Sequence, residues 1–181
     1  MTLLLGFAPF ILFALLSRLS ADLALWLAFA ASFVVTIRDF VESPSLRLLD
    51  GTSLALFGLL ALIRGFVMPE LSLAIVRTIV DGVLCGAVFA SLLGGRPFSL
   101  QYASRDSHTH PAWPLPAFLR VNQRISLVWG LSLAAMTLAD GAVAFLSVTF
   151  YVGIAMSVVA LAAAVSFTLL YPALAAERLP R

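Results

Sequence analysis

Residues 141–176 read GAVAFLSVTFYVGIAMSVVALAAAVSFTLLYPALAA, a stretch without one charged side chain. An α-helix that crosses a bilayer needs about 20 mostly apolar residues. The whole chain shares this character, since 62% of its 181 residues are hydrophobic and 11% are charged. Soluble domains carry about 25% charged residues. The composition therefore predicts an integral membrane protein with no length left for a soluble domain.

Polar turns divide the chain into six predicted helices within a single membrane domain, residues 1–181. Breaks are indicated by Ser43-Pro44-Ser45, Pro69-Glu70 and Gly94-Gly95, because such residues favour turns. The predicted helices are 3–16, 21–37, 51–67, 71–93, 124–146 and 149–171, with a long loop at 94–123. The predicted fold class is an all-α, polytopic transmembrane helix bundle.

The basic residues, all arginines, are distributed unevenly between the two sides of a six-helix bundle. Two of them, Arg18 and Arg64, lie on one side. Eight lie on the other side, namely Arg38, Arg47, Arg96, Arg105, Arg120, Arg124, Arg178 and Arg181. Basic residues accumulate on the cytoplasmic side of membrane proteins. Both termini and the 94–123 loop are therefore predicted to be cytoplasmic, and the basic excess is not a sign of nucleic-acid binding.

Three charged residues, Arg77, Asp81 and Asp140, lie inside apolar stretches, where each charge costs about 2.5–3.5 kcal/mol on insertion scales. In the predicted topology Arg77 and Asp140 are both roughly 9 Å below the outer face, and Asp81 follows Arg77 at helical i+4 spacing. With Arg64 they form a predicted polar cluster in the outer half of the membrane. It is either a buried ion pair that fixes helix register or a polar site of a small transporter or channel.

The fourth predicted helix carries a stripe of small residues at every fourth position, Gly82, Gly86, Ala90 and Gly94. Small residues allow two membrane helices to approach closely. The stripe therefore predicts tight packing, either inside the bundle or between subunits of a homo-oligomer.

The sequence contains no recognisable catalytic or cofactor motif. His108 and His110 are the only histidines, without the further ligands that a metal site needs, so no metal is predicted. The chain has no lysine, which excludes a Schiff base on a lysine side chain. We therefore expect no enzyme activity and no cofactor, and a membrane enzyme acting on lipid is the weakest interpretation.

Several segments resemble the bacterial inner-membrane septation protein A family. They are Phe7-Ala8-Pro9-Phe10, Arg96-Pro97-Phe98, the run PAFLRVNQRISLVWG at 116–130, and Ala139-Asp140. The resemblance implies a non-enzymatic, multi-pass protein of the bacterial inner membrane that acts in envelope integrity and cell division through contacts with other envelope proteins. It carries over no active site. The arginine-only basic residues and the histidine-containing loop depart from the family's usual pattern.

Contact candidates are predicted near the cytoplasmic face. Arg96, Phe98, Gln101 and Tyr102 combine base, amide and aromatic rings, which is typical of a short interfacial helix on anionic lipid or of a partner-binding segment. The resemblance adds Asn122, Arg124 and Trp129 as structural or contact residues. The leading interpretation is a protein that acts through contacts, and the alternative is a small secondary transporter or channel.

Overall fold

The computed structural model of the protein describes residues 5–42, 47–103, 115–146 and 148–176. Every regular element within these residues is a helix, so the predicted all-α class is confirmed. The elements are α1 Ala8–Leu16, α2 Ala21–Glu42, α3 Leu48–Leu62, a π-helical turn Ile63–Val67, α4 Leu73–Leu93, α5 Leu100–Ala103, α6 Leu115–Phe145 and α7 Phe150–Ala176.

Within the described residues, five helical stretches are long and apolar enough to cross a bilayer. They are Ala21–Val41, Leu48–Val67, Leu73–Leu93, Pro116–Phe145 and Phe150–Ala175. The nine residues of α1 extend only about 14 Å, against a hydrocarbon core of about 30 Å. The first predicted helix, 3–16, also reaches into residues 1–4, which lie outside the described ranges. The first of the six predicted crossings is therefore not among the five long helical stretches.

The exposed surface differs from that of a soluble protein. Many large apolar side chains face outward, with Leu93 90% and Leu138 75% exposed. Several charged and polar side chains are buried together with the apolar core, and Asp140 is only 2% exposed. Water would not tolerate so much exposed apolar surface, whereas lipid tails are as apolar as leucine. The structure therefore fits a membrane-spanning protein.

Several predicted helix ends are wrong. α2 continues to Glu42 instead of ending at 37, α6 begins at Leu115 instead of 124, and α7 passes through Pro172 to Ala176 instead of ending at 171. The predicted ends were placed where polar residues begin, but a helix satisfies its own backbone and can continue beyond the hydrocarbon core. Residues 115–123 are therefore helix, not loop.

The remaining starts also move, to Leu48 for α3 and Leu73 for α4. Pro116 is accommodated at the second position of α6, where a missing backbone N–H costs little. Pro172 lies inside α7 and removes one helical hydrogen bond to the carbonyl one turn earlier. The corrected helices are longer than the apolar stretches from which they were predicted.

The chain forms two compact units, Met1–Val76 and Arg77–Arg181. In the first unit α1, α2 and α3 pack through aromatic side chains, and the Phe57 ring lies 5.1 Å from that of Phe10 and 5.6 Å from that of Phe13. A Cβ atom on Gly58 would lie 2.9 Å from the Phe29 ring, so this glycine permits the close approach of α2 to α3. The single membrane domain stays a prediction.

In the second unit, α4 ends where the sequence predicted, at Gly94-Gly95. Gly95 has φ +68°, and the Arg96 amide donates to the Ser91 carbonyl at 3.1 Å. This left-handed glycine with a six-to-one hydrogen bond is the Schellman ending. It turns the chain back so that the side chains of Phe98 and Tyr102 are buried.

Candidate functional site

An ion pair between Arg77 of α4 and Asp140 of α6 lies in the second unit. The distance from Arg77 Nε to Asp140 Oδ2 is 3.1 Å, and the residues are 8% and 2% exposed. Arg77 also donates from a terminal nitrogen to Ser157 Oγ at 3.3 Å, and its guanidinium carbon lies 5.8 Å from the centre of the Phe150 ring. Residues of α4, α6 and α7 therefore meet at one arginine.

Gly153 of α7 allows this closure. A Cβ atom at Gly153 would lie 2.9 Å from Asp140 Oδ1 and 3.2 Å from Val143 Cγ2. Since real Cβ atoms essentially never approach other atoms within 3.0 Å, only glycine lets the backbone of α7 cover the carboxylate. The glycine therefore shields the Asp140 side of the pair.

Asp81 is the third charged side chain of this site. It is 9% exposed, and its Oδ2 atom has no hydrogen-bond partner within the described part of the chain. Its electrostatic neighbours are Asp140 and Arg77. The site thus brings together two carboxyl groups and one guanidinium. A proton or a small cation would complete the charge balance.

Arg64, the fourth residue of the predicted cluster, has partners within the first unit. It lies in the π-helical turn, its Nε atom donates to Asp22 Oδ1 at 2.6 Å, and another guanidinium nitrogen donates to the Leu71 carbonyl. Asp22 remains 57% exposed. Exposed pairs of this kind contribute about 0–1 kcal/mol to stability, so this contact differs in kind from the buried pair at Arg77.

Sequence reasoning missed a second group of buried charges, in the first unit. Arg47 pairs with Asp39, with side chains 6% and 8% exposed, and Asp50 is 3% exposed. Thr36 Oγ1 donates to the Asp50 carbonyl at 3.4 Å. The prediction ended α2 at 37 and treated Asp39 and Arg47 as loop charges. The usable signal was the i, i+3 spacing of Arg47 and Asp50 at a helix start.

The predicted contact candidates separate into two groups. Arg96, Gln101 and Arg124 are exposed. The other four are buried, with exposures of 0% for Phe98, 1% for Tyr102, 3% for Asn122 and 1% for Trp129. These four pack inside the second unit. For Asn122 and Trp129 this agrees with the structural alternative, and for Phe98 and Tyr102 the contact role stays a prediction. The predicted loop 94–123 is wrong at residues 100–103 and 115–123, which are helical.

A buried hydrogen-bond network holds this returning segment. Ser99 Oγ donates to Asn122 within 2.9 Å, and Ser126 Oγ contacts Ser99 Oγ at 3.0 Å. The Asn122 amide nitrogen donates to the Phe118 carbonyl at 2.9 Å. Because buried polar groups need partners, this network ties the start of α5 to α6. On the α7 side, Trp129 Nε1 donates to Thr168 Oγ1 at 2.9 Å.

The small-residue stripe of α4 is only partly used inside the second unit. A Cβ atom on Gly82 would lie 3.4 Å from Thr137 Cγ2 of α6, an ordinary packing contact. At Gly86 a Cβ atom would meet nothing within 4 Å, and Ala90 and Gly94 are exposed. The stripe contacts α6 at Gly82, and the tight packing predicted for it stays a prediction.

Within the described ranges, no group of three or more His, Cys, Asp or Glu side chains could hold a metal ion. His108 and His110 lie outside those ranges. Comparisons of the chain with protein-family models, curated proteins and solved structures give no match. The function must therefore be argued from the residues themselves.

Proposed function

We propose that the protein is a six-span, non-enzymatic protein of the bacterial inner membrane that acts in envelope maintenance or cell division through contacts with other membrane proteins. Its resemblance to the septation protein A family supports this assignment. The eight-to-two distribution of arginines supports cytoplasmic positions for both termini. In this topology α1 belongs to the first crossing along the chain, which is the shortest of the six.

The observation that carries the proposal is the closure of the Arg77–Asp140 pair. Arg77 is engaged by Asp140, by the Ser157 hydroxyl and by the Phe150 ring. Asp140 is 2% exposed, and the Gly153 backbone covers its other oxygen. A charge pair satisfied in this way fixes how helices align and leaves little capacity for a substrate. This supports a structural role for the pair and a function that depends on the protein surface.

The surface considered for partner contacts is the turn after α4. Arg96 and Gln101 are exposed there, while Phe98 and Tyr102 are buried beneath them. The Ser99–Asn122 hydrogen bonds hold this segment against α6. Polar groups presented on a fixed backbone bind a partner with less loss of conformational entropy than groups on a free loop. Arg96 and Gln101 are therefore the proposed contact residues for a membrane protein partner.

Site-specific photo-crosslinking tests this role. A photoreactive residue in place of Gln101 should give discrete protein adducts in native membranes. The matched control is the same residue in place of Leu138, which is 75% exposed on α6 and is expected to react with lipid. The contact proposal fails if position 101 gives only the lipid adducts that position 138 gives.

Reporter fusions test the proposed topology. A reporter fused at Ser107 and one fused at the C-terminus should both signal a cytoplasmic location. A third reporter at the N-terminus decides whether α1 belongs to a crossing. An external signal at Ser107 or the C-terminus overturns the orientation, and an external signal at the N-terminus alone reduces the crossings to five.

A second candidate function, cation or proton transport, is favoured by one observation, the unpartnered Oδ2 of buried Asp81 beside Asp140. Purified protein in liposomes would show cation or proton flux, and Asp81→Asn would abolish it without lowering thermal stability. If wild-type vesicles are no more permeable than protein-free ones, this candidate is excluded.

A further inference from the structure

An open groove of about 480 Å³ lies between the end of α4 and the first half of α6 in the second unit. The α6 side is formed by Arg120, Gln123, Arg124 and Leu127. These positions follow the i, i+3, i+4, i+7 spacing that places side chains on one face of a helix. The groove therefore has a polar end, and Leu127 begins its apolar end one turn further along α6.

The apolar wall comes from α4. It consists of Phe89, Leu92 and Leu93, and Leu93 is 90% exposed. The Phe89 ring rests against Gly130 of α6, where a Cβ atom would lie 3.1 Å from the ring. Glycine at this position thus lets the ring lie against the α6 backbone. The groove combines a cationic end and an apolar wall, which is the pattern that an amphiphile requires.

The two arginines lack a carboxylate to neutralise them in the described part of the second unit. Arg124 donates to the Tyr171 hydroxyl at 2.6 Å and lies over its ring. This contact orients the guanidinium but does not neutralise its charge. The carboxylates described in this unit are Asp81 and Asp140. Asp140 is sixteen residues beyond Arg124 on α6, about 24 Å away. An anionic occupant of the groove would therefore neutralise charges that the described part of the unit leaves unbalanced.

The groove lies near the ends of two helices that are long and apolar enough to cross a bilayer. α4 ends at Leu93 and α6 begins at Leu115, so in the topology proposed above, on which this step rests, the groove lies at the level of the lipid headgroups. We propose that it binds one anionic phospholipid, whose phosphate contacts Arg120 and Arg124 and whose acyl chain lies along Phe89, Leu92 and Leu127. The planar guanidinium groups match phosphate geometry. In the proposed orientation this lipid belongs to the cytoplasmic leaflet.

Native mass spectrometry of the full-length protein tests this site. Protein in neutral detergent is titrated with phosphatidylglycerol or with phosphatidylcholine of the same acyl chains. Wild type should retain one phosphatidylglycerol in preference to phosphatidylcholine. Each arginine near the surface should account for roughly a fivefold change in affinity, so R120Q/R124Q should lose roughly 25-fold.

The control variant is R18Q, which removes an exposed arginine of the first unit that is not part of the groove lining. It should bind phosphatidylglycerol as wild type does. R120Q alone, which keeps the Arg124–Tyr171 contact, separates loss of binding from any loss of folding, and thermal stability of each variant is measured in parallel.

Three results would overturn the proposal. The first is an equal loss in R18Q and R120Q, which would mean nonspecific attraction. The second is equal retention of phosphatidylcholine and phosphatidylglycerol by the wild type. The third is competition by glycerol phosphate at concentrations similar to those of the lipid, which would mean that the groove recognises a free phosphate compound.

Discussion

Replacing Asp140 by Asn tests whether the buried pair with Arg77 holds the second unit together. The substitution keeps the size of the side chain and removes its charge. Arg77, 8% exposed, then keeps the Ser157 hydroxyl, the Phe150 ring and the nearby Asp81. Removing one partner of a buried pair costs about 3–5 kcal/mol. Because Asp81 remains close, we expect the lower end, about 3 kcal/mol, which changes the folding equilibrium more than about a hundredfold.

Thermal unfolding in neutral detergent, followed by size-exclusion chromatography of the heated samples, measures this loss. A cost of 3 kcal/mol corresponds to a Tm decrease of about 6–12 °C for a chain of this length. The matched control is Asp81→Asn, the same chemical change at a residue of the same site. We expect D81N to leave the Tm unchanged or to raise it, because it removes the carboxyl group that exceeds the available positive charge.

The pair of variants gives a clear refutation. If D140N melts at the wild-type temperature, the ion pair does not stabilise the fold. If D81N loses as much as D140N, the two carboxylates share Arg77, and the assignment of the pair to Asp140 alone is wrong. Arg77→Met combined with D140N should recover part of the D140N loss, because the buried guanidinium that has lost its carboxylate partner is then removed as well.

Two further substitutions test the packing around the site. Gly153→Ala should cost about 1–3 kcal/mol, seen as a lower Tm, because the added Cβ displaces the Asp140 carboxylate. Gly86→Ala has open space around the added Cβ and should not lower the Tm. Equal effects of the two substitutions would contradict the close contact at Gly153. Asn122→Ala should cost about 1–3 kcal/mol and make residues 97–103 more sensitive to protease than in the wild type, because the Ser99 network holds them against α6. The exposed neighbour Gln123→Ala should leave protease sensitivity unchanged. An N122A protein cleaved no faster than wild type at residues 97–103 would show that the network does not hold them.

Much of the fold could be predicted because lipid imposes simple rules. A continuous apolar run such as 150–171 has to be helical, since no other open structure satisfies backbone hydrogen bonds in a bilayer. The end of α4 was also predictable, because Gly95 can adopt a positive φ without strain. The start of α6 and the end of α2 were not predictable, since polar residues beyond the hydrocarbon core are compatible with helix or loop.

The candidate site was only partly predictable. The cost of a charge in an apolar stretch marked Arg77, Asp81 and Asp140 without any structure. The same reasoning overlooked Asp39, which lies in the helical extension of α2 that the sequence did not reveal. Burial of Phe98 and Tyr102 was missed for a related reason, since it depends on the chain folding back onto α6.

The sequence by itself determined the membrane class, five of the six predicted helices as long apolar helices, and the positions of the costly charges. Those properties follow from composition and from local spacing. Only the tertiary structure decided that Arg77 pairs with Asp140 and that Asp81 keeps an unpartnered oxygen. Judged by the i, i+4 spacing on α4 alone, Asp81 is as good a partner for Arg77 as any other residue. The packing of α6 and α7 against α4 sets the pairing, because only packing fixes which side chains face each other across helices. Gly153 permits this packing where its backbone covers the carboxylate.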